Sequence, residues 1–430
     1  MRLRAAALAA ACGGTLSGPD VEVDGATNDS RAVRPGQLFV PVVAERDGHD
    51  FVTAALAGGA AAYLTSRPAS GGTAITVDDT EAALLACGGL ARSALPERVV
   101  GVTGSVGKTT VKDLLAAALA TSLATAASER SFNNEIGVPL TLLCAADGTE
   151  AVVLEMGARG TGHIRRLCEV GRPTIGVVTS VAAVHTELFG SIDDVAAGKA
   201  ELVEALPASG TAVLNLDDVR VAAMAPLTEA RVLGFGVRGD VRADEVACDD
   251  ELRPSFRLCT PWGEAPVRLA VRGEHQVGNA LAAAAAALAC GVPLAAVAEG
   301  LGAAALSPLR MDLRRAPGGA LVLNDAYNAN PTSMAAALRA LAALPGPGRR
   351  IAILGPMTEL ADPAEAHAEI ARLTTDLGIE LIPTATNLYG LKAAEDPIRA
   401  LGPLGEGDAV LVKASRAAGL ESVAEALLTN

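Results

Sequence analysis

The chain has 430 residues, which at roughly 150 residues per domain predicts about three domains and argues against a single compact core. Half of the residues are hydrophobic, 20% are charged and 2% are aromatic, so the chain can fold around cores built mainly from Ala, Val and Leu. Its 49 acidic and 35 basic residues give a net charge of -14, which disfavours sequence-independent binding to nucleic acid or anionic lipid. Any anion that it binds must therefore be bound by local features of a site.

The chain begins with a short apolar run after Met1, about ten residues long, which predicts a first amphipathic helix in preference to a signal peptide. No other segment approaches the roughly 20 uninterrupted apolar residues of a membrane span. The seven cysteines are scattered without a CxxC pair, a distribution that suggests neither a disulfide framework nor a zinc site. The sequence therefore predicts a cytoplasmic protein without membrane insertion.

The first hundred residues predict a small α/β domain, with a strand at residues 37–43, a helix at residues 51–57 and a boundary near Pro96. From residue 99 short apolar runs alternate with Ala- and Leu-rich helical stretches. Such runs are typical of a parallel sheet that is buried on both faces. The predicted strands are residues 99–103, 151–155, 175–179 and 211–215.

A second α/β unit follows Pro308, and residues 237–271 between the two units predict a small antiparallel insertion. The strands predicted for the second unit are residues 320–325, 350–355, 380–383 and 409–413. We therefore predict an α/β fold with three domains. They are a small N-terminal α/β domain (residues 1–96), a central domain with a parallel sheet (residues 97–303) and a C-terminal α/β domain (residues 304–430).

Residues 101–110, GVTGSVGKTT, follow the first central strand and precede a helix predicted at residues 111–119. Glycines let backbone N–H groups turn toward phosphate oxygens, Lys108 supplies a positive charge for the outer phosphates, and the Thr109 hydroxyl suits Mg²⁺. A plain glycine-rich turn is the alternative, because Val102 stands where a strict phosphate loop has Gly or Ala. The predicted ATP-binding loop comprises Gly104, Ser105, Val106, Gly107, Lys108, Thr109 and Thr110.

Two side chains that could hold a metal follow neighbouring predicted strands. Glu155 ends the strand at residues 151–155, and His185 follows the strand at residues 175–179. Open α/β sheets bind ligands at the carboxyl ends of their strands, and oxygen with imidazole ligands suits Mg²⁺. A solvated strand end and a structural histidine are the alternative interpretations.

Further segments match one enzyme family in their order along the chain. They are NDSR at residues 28–31, DGHDF at 47–51, SFNNEIGVPLTL at 131–142, EMG at 155–157, FGS at 189–191, KAE at 199–201, NDAYNANPTSM at 324–334 and VKASRAAGLE at 412–421. With the phosphate loop, this order resembles the Mur ligases over the whole chain. Within that family it is most similar to the member that adds D-alanyl-D-alanine to UDP-N-acetylmuramoyl-tripeptide.

The resemblance implies ATP- and Mg²⁺-dependent amide bond formation in peptidoglycan precursor synthesis. It also implies that the central parallel-sheet domain is a phosphate-loop ATPase domain and that the C-terminal α/β domain is Rossmann-like. In this family the substrate carboxylate attacks the γ-phosphate of ATP, and the incoming amine then attacks the resulting acyl phosphate. It implies that Lys108, Lys199 and His185 are catalytic, and that Thr109, Glu155, His185 and a carbamylated Lys199 support Mg²⁺.

The resemblance also implies the binding residues. Nucleotide contacts are expected from Asn279, Arg310 and Asp325, the last facing the ribose. Ser30 and Arg31 are expected to meet the uridine diphosphate end of the acceptor in the N-terminal domain, and Asn133, Asn134, Asn328 and Asn330 are further expected substrate contacts. The C-terminal domain would bind the dipeptide, and the protein would act as a monomer. Independently of the resemblance, His49, His163 and His367 are interpreted as structural or solvated.

Four positions depart from the family pattern: Ser180, Gln276, Pro356 and Ala414. Pro356 lacks a charge and a backbone donor, so it bears most on dipeptide binding and domain closure. Two alternative functions stay open at this point. One is another Mur-like ligase, either an amino-acid-adding or a folylpolyglutamate-type enzyme, and the other is a non-catalytic nucleotide-binding assembly partner.

Overall fold

The structure is a computed structural model that describes residues 1–129, 131–182 and 189–429. Helices alternate with mainly parallel strands through most of the described chain, as the predicted α/β class requires. Among the described residues, no helix is long and apolar enough to cross a membrane.

The N-terminal part holds a small mixed sheet with strand order β2-β7-β6-β5-β4, and β1 pairs with β3. The strand predicted at residues 37–43 is shorter than expected, because Pro41 has no N–H to donate to a neighbouring strand. The strands are β1 (Arg2–Arg4), β2 (Thr15–Ser17), β3 (Glu22–Asp24), β4 (Ala26–Thr27), β5 (Leu38–Phe39), β6 (Ala62–Thr65) and β7 (Ala74–Thr76). The helices are α1 (Ala5–Ala11), α2 (Val52–Ala57) and α3 (Thr80–Ser93).

The central part is a parallel sheet with strand order β13-β12-β11-β8-β10-β9, packed between helices on both faces. Helices α4 and α9 cover one face, with α10 packed on α4, and α5, α6 and α7 cover the other. The strands are β8 (Val99–Thr103), β9 (Thr125–Ala127), β10 (Ala151–Glu155), β11 (Ile175–Val178), β12 (Thr211–Asn215) and β13 (Arg231–Phe235). The helices are α4 (Lys108–Ala120), α5 (Gly137–Cys144), α6 (His163–Gly171), α7 (Ile192–Glu204), α8 (Val219–Ala222), α9 (Gln276–Ala289) and α10 (Leu294–Ala303).

The antiparallel insertion predicted at residues 237–271 is confirmed. It consists of β14 (Arg242–Cys248), β15 (Pro254–Thr260) and β16 (Gly263–Arg268), and every described pairing between them is antiparallel. Phe256, Leu258 and Val267 of this sheet join the same core as α9. The insertion is therefore packed onto the central part and extends its core.

The C-terminal part has a second sheet with strand order β17-β18-β21-β19-β20, in which only the edge pair β17–β18 is antiparallel among the described strands. Helices α11 and α12 pack on one face, and α13 and α14 pack on the other. The strands are β17 (Asp312–Arg315), β18 (Leu321–Asn324), β19 (Arg350–Leu354), β20 (Glu380–Pro383) and β21 (Ala409–Lys413). The helices are α11 (Pro331–Ala343), α12 (Pro363–Asp376), α13 (Pro397–Leu401) and α14 (Glu421–Thr429).

Strand β8 lies between β10 and β11, and this arrangement positions the candidate site. Val102 pairs with Glu155 on one side, and Thr103 pairs with Val178 on the other. Parallel strands that end in register bring the loops that follow them to one edge of the sheet. The loop after β8, the Glu155 side chain and the loop after β11 therefore meet at that edge.

Candidate active site

The loop between β8 and α4 has the geometry of a phosphate cradle. Gly104 and Gly107 have φ values of +146° and +88°, which are unfavourable for residues with a side chain. Gly104 also has no room for one, since an added Cβ would lie 1.9 Å from Thr179 Oγ1. Lys108 is the first residue of α4 and its Nζ donates to the Gly104 carbonyl at 2.6 Å. The loop therefore turns toward a helix N-terminus beside a lysine, where phosphate is favoured.

The loop that follows β11 holds the phosphate loop in place. Thr179 Oγ1 donates to the Val106 carbonyl at 2.5 Å, and the Ser180 hydroxyl accepts from Val106 N–H at 3.2 Å. Ser105 Oγ accepts from Ala182 N–H at 2.9 Å. These contacts fix the middle of the phosphate loop from a second strand end.

Glu155 has the surroundings expected of a cation ligand. It is 1% exposed, and Asn133 Nδ2 donates to its Oε1 at 2.9 Å. Its Oε2 is buried without a hydrogen-bond partner among the described residues, so one carboxylate oxygen can take a ligand. Mg²⁺ is commonly held by one or two carboxylates together with phosphate oxygens, so the residues present fit this ion. Among the described residues no cluster of three or more His, Cys, Asp or Glu side chains could hold a metal by itself.

Lys199 lies on α7 and is 3% exposed, although it borders the same cavity as Glu155. Burial, followed by the charge of Lys108, lowers the pKa of Lys199 to about 7. A large fraction of this amine is therefore neutral near neutral pH, which is the form that reacts with carbon dioxide. The predicted second metal ligand, His185, lies outside the described residues.

Arg310 connects the linker before the C-terminal sheet to the phosphate loop. Its Nη2 donates to Thr109 Oγ1 at 2.9 Å, and its guanidinium lies 4.4 Å from the ring centroid of Tyr327. Burial lowers the pKa of Lys108, and the nearby Arg310 lowers it further, while Glu155 opposes the shift. The central and C-terminal parts thus contact each other at the proposed phosphate position.

Asn279 lies in the central part and Asp325 in the C-terminal part, and each has a hydrogen-bond partner there. An added Cβ on Gly107 would lie 2.4 Å from Asn279 Oδ1, so Asn279 contacts the phosphate loop. Its Nδ2 donates to Gln276 Oε1 at 2.8 Å. Asp325 Oδ2 accepts from Lys413 Nζ at 2.5 Å, in a pair that is mostly buried.

These features surround one cavity of about 560 Å³ between the central and C-terminal parts. Of the predicted site residues, those lining it are Ser105, Val106, Gly107, Lys108, Thr109, Asn133, Asn134, Glu155, Lys199, Arg310, Asn328 and Asn330. Gly104, Thr110, Asn279 and Asp325 are not part of the lining, although Gly104 and Thr110 belong to the phosphate loop and Asn279 contacts it. Ser30 and Arg31 are also absent from the lining, and the exposed Arg31 pairs with Asp29 at 2.8 Å.

Comparison with known proteins identifies the family. The model described as the Mur ligase middle domain matches residues 102–287, and the one described as the Mur ligase, glutamate ligase domain matches residues 309–426. A Mycobacterium tuberculosis protein named UDP-N-acetylmuramoyl-tripeptide–D-alanyl-D-alanine ligase is 41% identical, over 94% of this chain and 91% of its own length. The chain belongs to the Mur ligase family.

Solved structures of Mur ligases confirm the predicted fold class. A crystal structure of MurF from Acinetobacter baumannii has a TM-score of 0.89 at 29% identity, covering 100% of this chain and 99% of that one. MurF from Thermotoga maritima in complex with ADP has a TM-score of 0.81 at 28% identity, covering 94% and 96% of the two chains.

The positions at which this Mur ligase departs from its family pattern all have ordinary contacts. Ser180 bonds the phosphate loop, and Gln276 is 3% exposed with its amide bonded to Asn279. The Pro356 carbonyl accepts from Ser415 N–H at 3.0 Å. Ala414 packs against Gly355, where an added Cβ would lie 2.6 Å from the Ala414 Cβ. Each departure is therefore accommodated by its local packing and hydrogen bonds.

The structure also adds cavity residues that the sequence did not single out. His163, expected to be structural or solvated, lines the cavity and lies 3.4 Å from Glu135 through its Nδ1. Arg159, Glu359 and Arg416 line it as well. Glu359 and Arg416 could have been found from the sequence, because each follows a predicted strand of the C-terminal sheet within a few residues.

Proposed function

We propose that this chain joins D-alanyl-D-alanine to UDP-N-acetylmuramoyl-tripeptide at the expense of ATP, releasing ADP and phosphate, in the synthesis of peptidoglycan precursors. The supporting observation is a cavity that combines the phosphate loop, Glu155 and Lys199 with residues of the C-terminal part. Mur ligase relatives that are 41% identical over most of the chain carry the name of this reaction, and ADP is bound in the similar MurF of Thermotoga maritima. ATP is accordingly the nucleotide substrate.

Each group of cavity residues has a separate role in the proposed reaction. The loop amides and Lys108 hold the outer phosphates, and Glu155 with Thr109 would hold Mg²⁺, which neutralises charge on the transferring phosphoryl group when bound. Lys199, once carbamylated, becomes an anion that supports the metal, and His185 is proposed as a further ligand. Enclosure between two domains limits hydrolysis of an activated acyl group.

Further residues are proposed to contact the nucleotide and the acceptor. Asn279, Arg310 and Asp325 would bind the nucleotide, and Ser30 and Arg31 would bind the uridine diphosphate end of the acceptor. Asn134, Asn328 and Asn330 are proposed to contact the peptide portions. Asn133 is already bonded to Glu155, so we assign it first to positioning that carboxylate.

The organisation of the protein is part of the same proposal. Residues 1–96 form the UDP-sugar domain, residues 97–303 the ATP domain, and residues 304–430 the domain that binds dipeptide and ribose. We also propose that the protein is a cytoplasmic monomer with small-molecule substrates and no nucleic-acid partner.

The test is phosphate release from ATP by the purified protein with UDP-N-acetylmuramoyl-tripeptide and D-alanyl-D-alanine, each omitted in turn. The proposal requires release that depends on both the acceptor and the dipeptide, together with formation of the pentapeptide product. Release that ignores the dipeptide but responds to a single amino acid or to glutamate would point to a different ligase of the family. No release under any condition would favour a non-catalytic nucleotide-binding partner.

A further inference from the structure

Three carboxylates line the cavity among the described residues: Glu135, Glu155 and Glu359. Glu155 is bonded to Asn133 and has the surroundings of a cation ligand, and Glu135 faces His163. Glu359 is the one that comes from the C-terminal part. The reaction proposed above gives it no role.

The loop that carries Glu359 is held rigidly. It leaves the end of β19, and the Tyr389 hydroxyl donates to the Gly355 carbonyl at 2.8 Å. Met357 N–H donates to Nε2 of the buried His367 at 3.0 Å, and Thr358 N–H donates to Ser415 Oγ at 2.9 Å. Three side chains from separate segments therefore fix the backbone immediately before Glu359.

The backbone of Glu359 itself is strained. Its φ is +68°, in the left-handed region that residues with a side chain seldom occupy. Such a conformation is unfavourable for a residue with a side chain, and it persists where the surroundings over-determine it, commonly at functional sites. Here the strained residue is the one that places a carboxylate on the cavity wall.

Glu359 faces the phosphate loop across the cavity, because Glu359 and Lys108 line that cavity from the C-terminal and central parts respectively. The pKa of Lys108 is lowered mainly by burial, and both Glu155 and Glu359 oppose that shift. This direction agrees with a carboxylate on the cavity wall opposite the lysine. The activated acyl group forms at the γ-phosphate that Lys108 holds, so an amine bound at Glu359 would approach that group from the C-terminal side.

We propose that Glu359 is a catalytic residue that binds the ammonium group of the incoming D-alanyl-D-alanine and takes up the proton that this group must lose. The inference rests on the proposed function. An α-amino group has a pKa of about 8, so most of it is protonated at pH 7 and has no lone pair for attack. A carboxylate beside it favours binding of the cation and can accept one proton.

Protons and electrons balance in the attack of the dipeptide amine on the acyl phosphate. The ammonium transfers one proton to the Glu359 carboxylate, which becomes a carboxylic acid, and the amine nitrogen gains a lone pair. That pair forms the C–N bond to the acyl carbon while the C–O bond to phosphate breaks, and phosphate leaves with the bonding electrons. The second proton on nitrogen is released to the departing phosphate, and Glu359 returns its proton to solvent.

The test compares two nucleophiles in the Glu359→Gln variant of the full-length protein. One is D-alanyl-D-alanine, and the other is hydroxylamine, a small amine that is neutral at pH 7 and traps the acyl phosphate as a hydroxamate. Amide formation with the dipeptide should fall about 100-fold or more, as is typical for loss of a general base. Hydroxamate formation from ATP and the UDP-linked tripeptide should stay within about threefold of wild type.

The pH profile supplies a second readout. The deficit of Glu359→Gln should shrink as the pH rises toward about 9, because more of the dipeptide is then already deprotonated. The matched control is Glu395→Gln, which removes an exposed carboxylate of the same domain outside the cavity lining and should leave both reactions unchanged.

The relative loss of the two reactions in Glu359→Gln shows which substrate Glu359 serves. Equal loss of both reactions would show that Glu359 serves ATP or the acceptor, and unchanged ligation would show that it serves neither, so either result overturns the inference. Hydroxamate formation by the wild-type protein without any use of D-alanyl-D-alanine would instead overturn the proposed function, and the inference with it.

Discussion

Removal of the Asn133 side chain tests the metal site without touching a proposed metal ligand. Asn133 Nδ2 donates to Glu155 Oε1 at 2.9 Å, while Glu155 Oε2 has no partner among the described residues. The hydrogen bond therefore orients a carboxylate that is 1% exposed. In Asn133→Ala, Oε1 loses this donor, so the orientation of the carboxylate is no longer fixed by a side-chain hydrogen bond from Asn133.

The expected weakening of Mg²⁺ binding follows from the role of Asn133 in orienting a metal ligand. Loss of a group that orients a metal ligand typically weakens metal binding by about 10- to 100-fold, equivalent to about 1.4–2.7 kcal/mol. The hydrogen bond has a charged acceptor, so its loss should also lower the free energy of unfolding of the metal-free protein by about 1.5–3 kcal/mol. The variant should thus need 10- to 100-fold more Mg²⁺ for half-maximal ligation.

The assay is the Mg²⁺ dependence of the ligation rate at saturating ATP, with urea unfolding measured in parallel. Asn134→Ala is the matched control, since Asn134 Oδ1 accepts from Gly137 N–H at 3.0 Å at the start of α5. Loss of this hydrogen bond costs about 1 kcal/mol of stability, and any effect on the proposed peptide contact of Asn134 should lower the rate without changing the Mg²⁺ concentration for half-maximal ligation. If the two variants have half-saturating Mg²⁺ concentrations within twofold of each other, Asn133 does not position a metal ligand.

Three further changes have defined outcomes. Gly107→Ala places a Cβ 2.4 Å from Asn279 Oδ1 at a φ of +88°. The affinity of this variant for ADP, measured by calorimetry, should therefore fall at least about tenfold. The control is Gly278→Ala, whose added Cβ meets nothing within 4 Å and which should bind ADP normally. Lys199→Ala should reduce ligation at least about 100-fold, and added bicarbonate should not restore it; near-normal turnover would exclude a carbamylated lysine as metal support. Burial lowers the pKa of His367, so the unfolded chain binds its proton more readily. The stability from this group should be complete above the ordinary pKa of about 6.5 and decline as the pH falls below it. Urea midpoints between about pH 5 and pH 7.5 should show this decline in the wild type and a smaller one in His367→Gln.

The sequence predicted the parts of the site that depend on neighbours along the chain. Strands β8 and β10 have the predicted bounds, because each is a continuous apolar run between clear loop signals. The phosphate loop joins the first of these strands to α4, so its residues, spacing and helix N-terminus could all be predicted together. The position of Glu155 at a strand end followed from the same local pattern.

Contacts between distant segments could not be predicted in this way. Arg310 and the Thr109 hydroxyl that it contacts are 201 positions apart, and nothing local to either indicates the other. The conformation of Glu359 was equally hidden, because glutamate has no preference for a positive φ and only the surrounding hydrogen bonds impose it. The place of His163 on the cavity wall was hidden for a related reason, since it depends on the packing of α6 against α7.

The charge of the cavity explains how an acidic protein can bind polyanionic substrates. The chain carries a net charge of -14, yet five Lys or Arg side chains and three carboxylates line the cavity among the described residues. The positive field is therefore local, and the chain does not provide it as a whole. Lys199 moderates this field, because burial lowers its pKa to about 7, so a large fraction of it is uncharged near neutral pH, and carbamylation would make it negative. A site that must first hold ATP and then admit a cationic amine requires this balance, since an uninterrupted cluster of cations would bind phosphate well and repel the nucleophile. On this reasoning Lys108 and Arg310 on one side and Glu359 on the other serve successive steps of one reaction.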